Sequence, residues 1–235
     1  MTLDGVLFDK DGTLFDFGAT WNAWALGLIG ELSEGDALLA ERLAEAIAFD
    51  LSARAFRPDS GVIAGTAREA AELFASALPG RDAGALESLL NDRAEAAPQV
   101  PVTDLAPLLR GLAGRGLALG VMTNDSERAA RTHLSRAGVL DIFDFVAGFD
   151  SGHGAKPDPG PLLAFARATG RAPARVAMIG DSTHDLAAGR AAGMVCIAVL
   201  TGPATEAELA PWADVVLPDI ARLPAWLDSV AARAD

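Results

Sequence analysis

Cysteine, positive charge and long uninterrupted apolar runs are all scarce in this sequence. A single cysteine, Cys196, excludes an internal disulfide. Its place in the run Val195-Cys196-Ile197-Ala198-Val199-Leu200 predicts a small buried hydrophobe rather than a nucleophile. Nineteen Lys and Arg stand against 32 Asp and Glu, a net charge of -13 that repels nucleic acid and anionic membranes from most of the exterior. An anionic ligand therefore needs a local positive site, made by a metal, a lysine or backbone amides. No uncharged apolar segment is long enough to span a bilayer. Asp4, Asp9, Lys10 and Asp11 interrupt the first apolar residues, which does not match a signal peptide. These absences predict a cytoplasmic soluble protein with neither nucleic acid nor membrane as partner. There is no internal repeat, and no low-complexity tract beyond an alanine bias.

What is present is hydrophobic content of 51% over 235 residues, enough for one large domain or a core with a smaller companion. An apolar strand at Val6, Leu7 and Phe8 is followed, from about residue 16 to 96, by a stretch rich in alanine, leucine and glutamate with no convincing strand. Helices are predicted there over about Ala19–Gly30, Asp36–Phe49, Gly61–Leu78 and Asp82–Ala96, punctuated by Gly30, Pro58 and Pro79-Gly80. Beyond Pro98 and Pro101 short apolar runs alternate with helical patterns. Strands are predicted at Leu117–Thr123, Phe145–Gly148, Val176–Ile179, Val195–Leu200 and Val215–Leu217. Leu105, Leu108, Leu109 and Leu112 mark one helical face, and Leu223, Trp226, Leu227 and Val230 another. Further helices are predicted over Ser126–Ala137, Pro161–Thr169 and Asp185–Ala192. Such alternation predicts an α/β fold with a doubly wound parallel sheet covered on both faces. Residues 1–15 and 97–235 would form its core, and 16–96 a small helical domain inserted into it.

In sheets of this kind ligands collect beyond the carboxyl ends of the strands. After the first strand come Asp9 and Asp11, whose alternate positions let both carboxylates face one point. Like charges that close repel, and a divalent cation or a shared proton relieves the repulsion. After later strands come Thr123 and Asn124, a loop to Lys156-Pro157, and Gly180-Asp181-Ser182 with Asp185. Carboxylates serve a metal or a nucleophile, a hydroxyl and an amide hold phosphate oxygens, and an ammonium neutralises charge. Each also has an ordinary reading. Asp9 to Gly12 suits a turn, Thr123 a helix N-cap, Asp185 a first-turn acid favoured by the helix dipole, and Lys156 an exposed loop. His153 and His184 flank the set, either as loop or surface histidines or as contacts to a substrate, and His133 falls mid-helix as a structural one.

Four stretches, Asp9-Lys10-Asp11-Gly12-Thr13, Thr123-Asn124, Lys156-Pro157 and Gly180-Asp181-Ser182-Thr183-His184-Asp185, resemble in order and spacing the motifs of the haloacid dehalogenase superfamily of phosphotransferases. The resemblance covers the core, and the helical insert is similar to the family's small helical cap, most like the phosphoglycolate phosphatase branch. It implies a phosphoric monoester hydrolase acting on a small phosphorylated metabolite, with phosphoglycolate as one candidate. By the family pattern Asp9 attacks phosphorus and forms an aspartyl-phosphate, and Asp11 is general acid and base. Lys156 neutralises charge on Asp9 and on the transferring group, and with Thr123 and the Asn124 amide it holds the phosphate. Mg2+ would bind the Asp9 carboxylate, the Asp11 main-chain carbonyl and Asp181. Asp185 would orient Lys156 or metal-bound water.

The resemblance assigns specificity to the cap, which the sequence marks poorly. Arg54-Ala55-Phe56-Arg57-Pro58-Asp59-Ser60-Gly61 offers two arginines in an acidic chain, and Arg57 is a candidate contact for a second anionic group such as a carboxylate. The competing reading is a surface pair with Asp50 or Asp59. Trp21-Asn22-Ala23-Trp24 either lines the entrance or builds the cap core. Three other activities compete. A phosphomutase on a sugar phosphate uses the same residues. A metal-independent 2-haloacid dehalogenase is disfavoured by Asp11 and by the run from Gly180 to Asp185. A non-catalytic phosphate-binding module predicts a broken Asp9, Asp11 or Lys156, and all three are intact.

Overall fold

Alternation along the first strand determines how the molecule is layered. The computed structural model describes residues 2–232. In β1 (Gly5–Phe8), Val6 and Phe8 enter one hydrophobic cluster and Leu7 another, so a helical layer is needed on each face of the sheet. The layers come from the elements beyond residue 100: α5 (Leu105–Ala113), β4 (Ala118–Met122), α6 (Glu127–Arg136), β5 (Phe145–Ala147), α7 (Gly160–Thr169), β6 (Val176–Gly180), α8 (Thr183–Ala192), β7 (Val195–Val199), α9 (Glu206–Leu209), β8 (Val215–Leu217) and α10 (Leu223–Ala231). Six strands form one sheet in the order β5-β4-β1-β6-β7-β8, every pair parallel. Leu105, Leu109, Leu112, Leu134 and Leu223 pack on the Val6/Phe8 face, and Leu162 and Phe165 on the Leu7 face. Cys196 is buried in β7. This is the doubly wound α/β fold expected of the sequence, with a small helical cap inserted after β1.

The insert comprises α1 (Phe17–Ser33), α2 (Ala37–Ala46), β2 (Phe49–Asp50), β3 (Ala55–Phe56), α3 (Ala67–Ala77) and α4 (Ala83–Ala96). It closes a cluster of its own around Trp24, Leu28, Leu43, Phe49, Phe74 and Leu90. Three boundaries differ from the sequence expectation. Gly30 does not end the first helix, which runs from its Asp16 cap through to Ser33. The third helix starts at Ala67 rather than Gly61, because Thr66 and Glu69 form a capping box. A two-residue hairpin replaces the end of the second helix: the Phe49 and Phe56 rings meet edge to face at 5.1 Å, and Asp50 Oδ1 accepts from Ser52 N and Ala53 N. Strands of two residues are too short to display an alternating pattern. No helix among the described residues is long and apolar enough to cross a membrane.

Candidate active site

The winding of the sheet reverses around β1, which lies between β4 and β6, and this opens a crevice beyond their carboxyl ends. Asp9 follows β1 directly, its N–H donating to Ile179 O at 2.8 Å. The chain then turns at Gly12, where φ is +81° and a Cβ would collide with the Asp181 carboxylate. From the end of β4, Asn124 pins the loop that carries Lys156. Its Oδ1 accepts from Lys156 N and its Nδ2 donates to Lys156 O, both at 2.9 Å.

Lys156 Nζ donates to Asp9 Oδ1 at 2.5 Å and to Met122 O at 3.0 Å, and pairs with Asp185 Oδ1 at 2.7 Å. The other Asp185 oxygen accepts from Ser182 N and Ser182 Oγ at the start of α8. One carboxylate thus caps the helix and holds the lysine. Burial works against the Lys156 ammonium, but Asp185 and Asp9 outweigh it and hold its pKa above the usual lysine range. No protein group donates to Asp9 Oδ2 among the described residues. Thr123 Oγ1 accepts from Asp125 N at 3.1 Å and keeps its own proton to donate. The backbone N–H of Asn124 makes no hydrogen bond within the described protein, so it too can meet an anion.

A second lysine network lies beneath Asp11. Lys10 is fully buried, and its Nζ donates to Asp11 Oδ1 at 3.2 Å, with Asp11 Oδ2 at 2.9 Å, to Asp125 Oδ2 at 3.0 Å and to His133 Nδ1 at 3.0 Å. An ammonium can only donate, so Nδ1 accepts, and Nε2 carries the hydrogen given to Ala94 O at 3.0 Å. His133 is therefore a neutral imidazole, its pKa lowered to about 4 by burial and by the Lys10 charge. The Trp21 ring lies 5.6 Å from Lys10 Nζ. Sequence reasoning assigned nothing to Lys10 or Asp125. A signal was available: Lys10 and Lys156 are the only lysines in the chain, the other 17 of its 19 Lys and Arg being arginine. A compact ammonium with three donors fits where a guanidinium fork does not.

Asp9, Asp11, Asp125, Asp181 and Asp185 crowd around these two lysines with little or no exposure. Burial pushes the Asp9 pKa up to about 7, Lys156 opposing and Asp185 and Asp11 adding to the shift. Burial also raises Asp181 well above the carboxylate range, reinforced by Asp9 and Asp185, and no ion pair reaches Asp181 among the described residues. Asp9, Asp181 and Asp185 each offer a carboxylate oxygen within 4.8 Å of the others. A hard, oxygen-only set with surplus negative charge suits a divalent cation of the magnesium type.

Facing these residues across the cleft, the insert contributes Phe17, Trp21, Trp24, Leu90 and the loop from Val62 to Thr66. Asn124 Nδ2 also donates to Ala64 O at 2.8 Å, tying that loop to the core. The loop was another feature the sequence left unmarked. Both tryptophans line the cleft, and Trp24 belongs to the cap cluster as well. Arg57 is not brought to the site. Its guanidinium forks onto Glu45 at 2.9 and 3.1 Å, with Asp59 at 3.7 Å, on the cap surface. His184 is exposed on the core side of the cleft, and His153 stacks on Phe145 outside it.

A family model described as haloacid dehalogenase-like hydrolase matches residues 3–193. The chain belongs to that family. This haloacid dehalogenase-like hydrolase is 38% identical over 120 residues to a phosphoglycolate phosphatase of Rhodospirillum rubrum, covering 51% of this chain and 50% of that protein. The chain thus spans about half the length of the first curated relatives it matches. A longer match, 30% identical over 203 residues, joins 84% of it to 80% of a phosphoglycolate phosphatase of Xylella fastidiosa. Its fold is that of a putative haloacid dehalogenase-like hydrolase from Bacteroides fragilis, with TM-score 0.72 and 22% identity over 94% of this chain and 100% of the other.

Proposed function

We propose that this chain is a magnesium-dependent phosphatase of small phosphorylated metabolites, with 16–96 as a cap over a core of 1–15 and 97–235. The observation that carries the reading is the asymmetry of Asp9. Lys156 holds Oδ1 at 2.5 Å, while Oδ2 accepts no hydrogen bond among the described residues, and Asp9 as a whole stands in a crowded cluster of carboxylates. Oδ2 attacks phosphorus, the bond from phosphorus to the leaving oxygen breaks, and Asp11 gives that oxygen its proton. Water then adds to the phosphorus of the aspartyl-phosphate, Asp11 takes its proton, and the bond to Asp9 breaks to release inorganic phosphate. The Thr123 hydroxyl, the Asn124 amide and Lys156 hold the phosphate oxygens and offset their charge. Lys10 fixes the direction of the Asp11 carboxylate. The Asp9 and Asp181 carboxylates, with the Asp11 carbonyl, would hold the magnesium ion, and Asp185 holds Lys156 beside it. The ion supplies charge that lets an anionic nucleophile approach an anionic phosphate.

The relatives named phosphoglycolate phosphatases support a small phosphomonoester as substrate, with phosphoglycolate as the named candidate. The test is phosphate release from a panel of phosphorylated metabolites with magnesium, with a chelator, and with Asp9→Asn. Release that needs magnesium and Asp9 is expected. Metal-independent hydrolysis of a 2-haloacid with no phosphatase activity would place the chain in the dehalogenase alternative, and phosphoryl exchange between sugar positions without release would make it a mutase.

A further inference from the structure

The cap side of the cleft suggests the chemistry of the alcohol that leaves. Its larger side chains are Phe17, Trp21, Trp24, Val62, Ile63 and Leu90, and no charged side chain of the cap lines the cleft among the described residues. The cap arginines nearest in sequence to that loop are directed elsewhere, Arg57 onto Glu45 and Arg68 toward Glu87 at 3.4 Å. The α3 N-terminus, where Thr66 and Ala67 border the cleft, would attract an anion, but Glu69 already accepts from Thr66 N at 2.7 Å and Thr66 Oγ1 at 2.9 Å. On the core side Lys10 is spent on Asp11, Asp125 and His133, Lys156 is committed to Asp9, Asp185 and the phosphoryl group, and His184 is exposed. A second carboxylate bound in this cleft would lose water and gain no cation. The indole N–H groups of Trp21 and Trp24 are buried with no acceptor among the described residues, and Trp24 as a whole is 8% exposed.

Building on the phosphatase reading, but not on the candidate taken from the relatives' names, we propose that the site takes phosphomonoesters of uncharged, largely apolar alcohols, aromatic or branched, in preference to esters whose alcohol carries a carboxylate, phosphoglycolate included. Trp21 and Trp24 flank the alcohol with their ring faces and edges. The experiment compares kcat/KM, with magnesium present, for 2-phosphoglycolate, benzyl phosphate and 3-methylbutyl phosphate. All three are esters of primary alcohols, so the comparison reads recognition more than leaving-group reactivity. At least a tenfold advantage for the two neutral esters is expected. Ile63→Arg, which places a cation in the wall, should move the ratio at least tenfold toward 2-phosphoglycolate, with folding checked by circular dichroism and Val62→Arg as a second variant. Equal or better turnover of 2-phosphoglycolate by the unaltered protein overturns the inference and leaves the phosphatase reading intact. No phosphate release from any ester overturns both.

Discussion

Lys10 is fully buried with its three donors on Asp11, Asp125 and His133, so losing the ammonium leaves the buried Asp125 and the partly buried Asp11 without a cation. Lys10→Met is expected to cost about 3–5 kcal/mol of stability in urea unfolding, the range for breaking a buried ion pair from one side. A cost under about 1 kcal/mol would contradict the network. Asp9 gives a pH signature of the opposite kind. Its pKa stands near 7 in the folded chain against the ordinary 3.8, so between about pH 4 and 7 the folded state holds a proton that the unfolded state has released. Stability from this group is full below that window and is lost as pH rises through it. His133, held near 4, acts in the reverse sense, and it cancels when two variants that both retain it are compared. Without magnesium, the stability advantage of Asp9→Asn over the unaltered chain should therefore grow from pH 4 to 7, and an advantage that stays flat would contradict the crowding. Asp9, Asp11, Lys156 and Asp181 were legible in the sequence because each follows a strand or sits in a short local motif. Lys10 bonds partners 115 and 123 residues away, and no local pattern reports a contact made only by folding.

Among the elements, the buried strands and longer helices were readable because their apolar periods extend over several turns or residues. The β2/β3 hairpin was not, whereas the capping box that moves the start of α3 to Ala67 stands in the local pattern Thr66-Ala67-Arg68-Glu69, which apolar periodicity alone passes over. That shift matters for the site, because it frees residues 62–66 to form the cap loop facing Asp9. Asn124 joins this loop to the Lys156 loop through Ala64 O, Lys156 O and Lys156 N. Asn124→Ala should cost about 3 kcal/mol, from three hydrogen bonds worth roughly 1 kcal/mol each. Amide exchange over residues 61–66 should quicken at least tenfold, and unchanged exchange there would show that the loop is held by something else. At the other end of the insert, Thr132 Oγ1 meets Glu95 at 3.0 Å and Arg136 donates to Glu95 O at 2.8 Å, so α4 is docked on α6.

At the scale of the molecule, two hydrophobic units meet across a crevice where carboxylates outnumber lysines, in a chain already at -13. The two strands linking cap and core run side by side, with Asp16 N donating to Val100 O at 2.8 Å and Val102 N to Leu14 O at 3.1 Å. A divalent cation that binds only the folded chain stabilises it by mass action, about 2.7 kcal/mol at a hundred times its Kd. Magnesium should accordingly raise the melting temperature of the unaltered protein, and Asp181→Asn should abolish most of the rise. An equal rise in both would place the ion elsewhere. The central claim is that Asp9 becomes phosphorylated, and acid quenching during turnover of a phosphomonoester with magnesium, followed by peptide mass analysis, tests it most directly. The account predicts one phosphoryl group on the peptide that contains Asp9 and none with Asp9→Asn, which should also be inactive. Steady phosphate release with no phosphoryl group on that peptide, or undiminished turnover by Asp9→Asn, would contradict it.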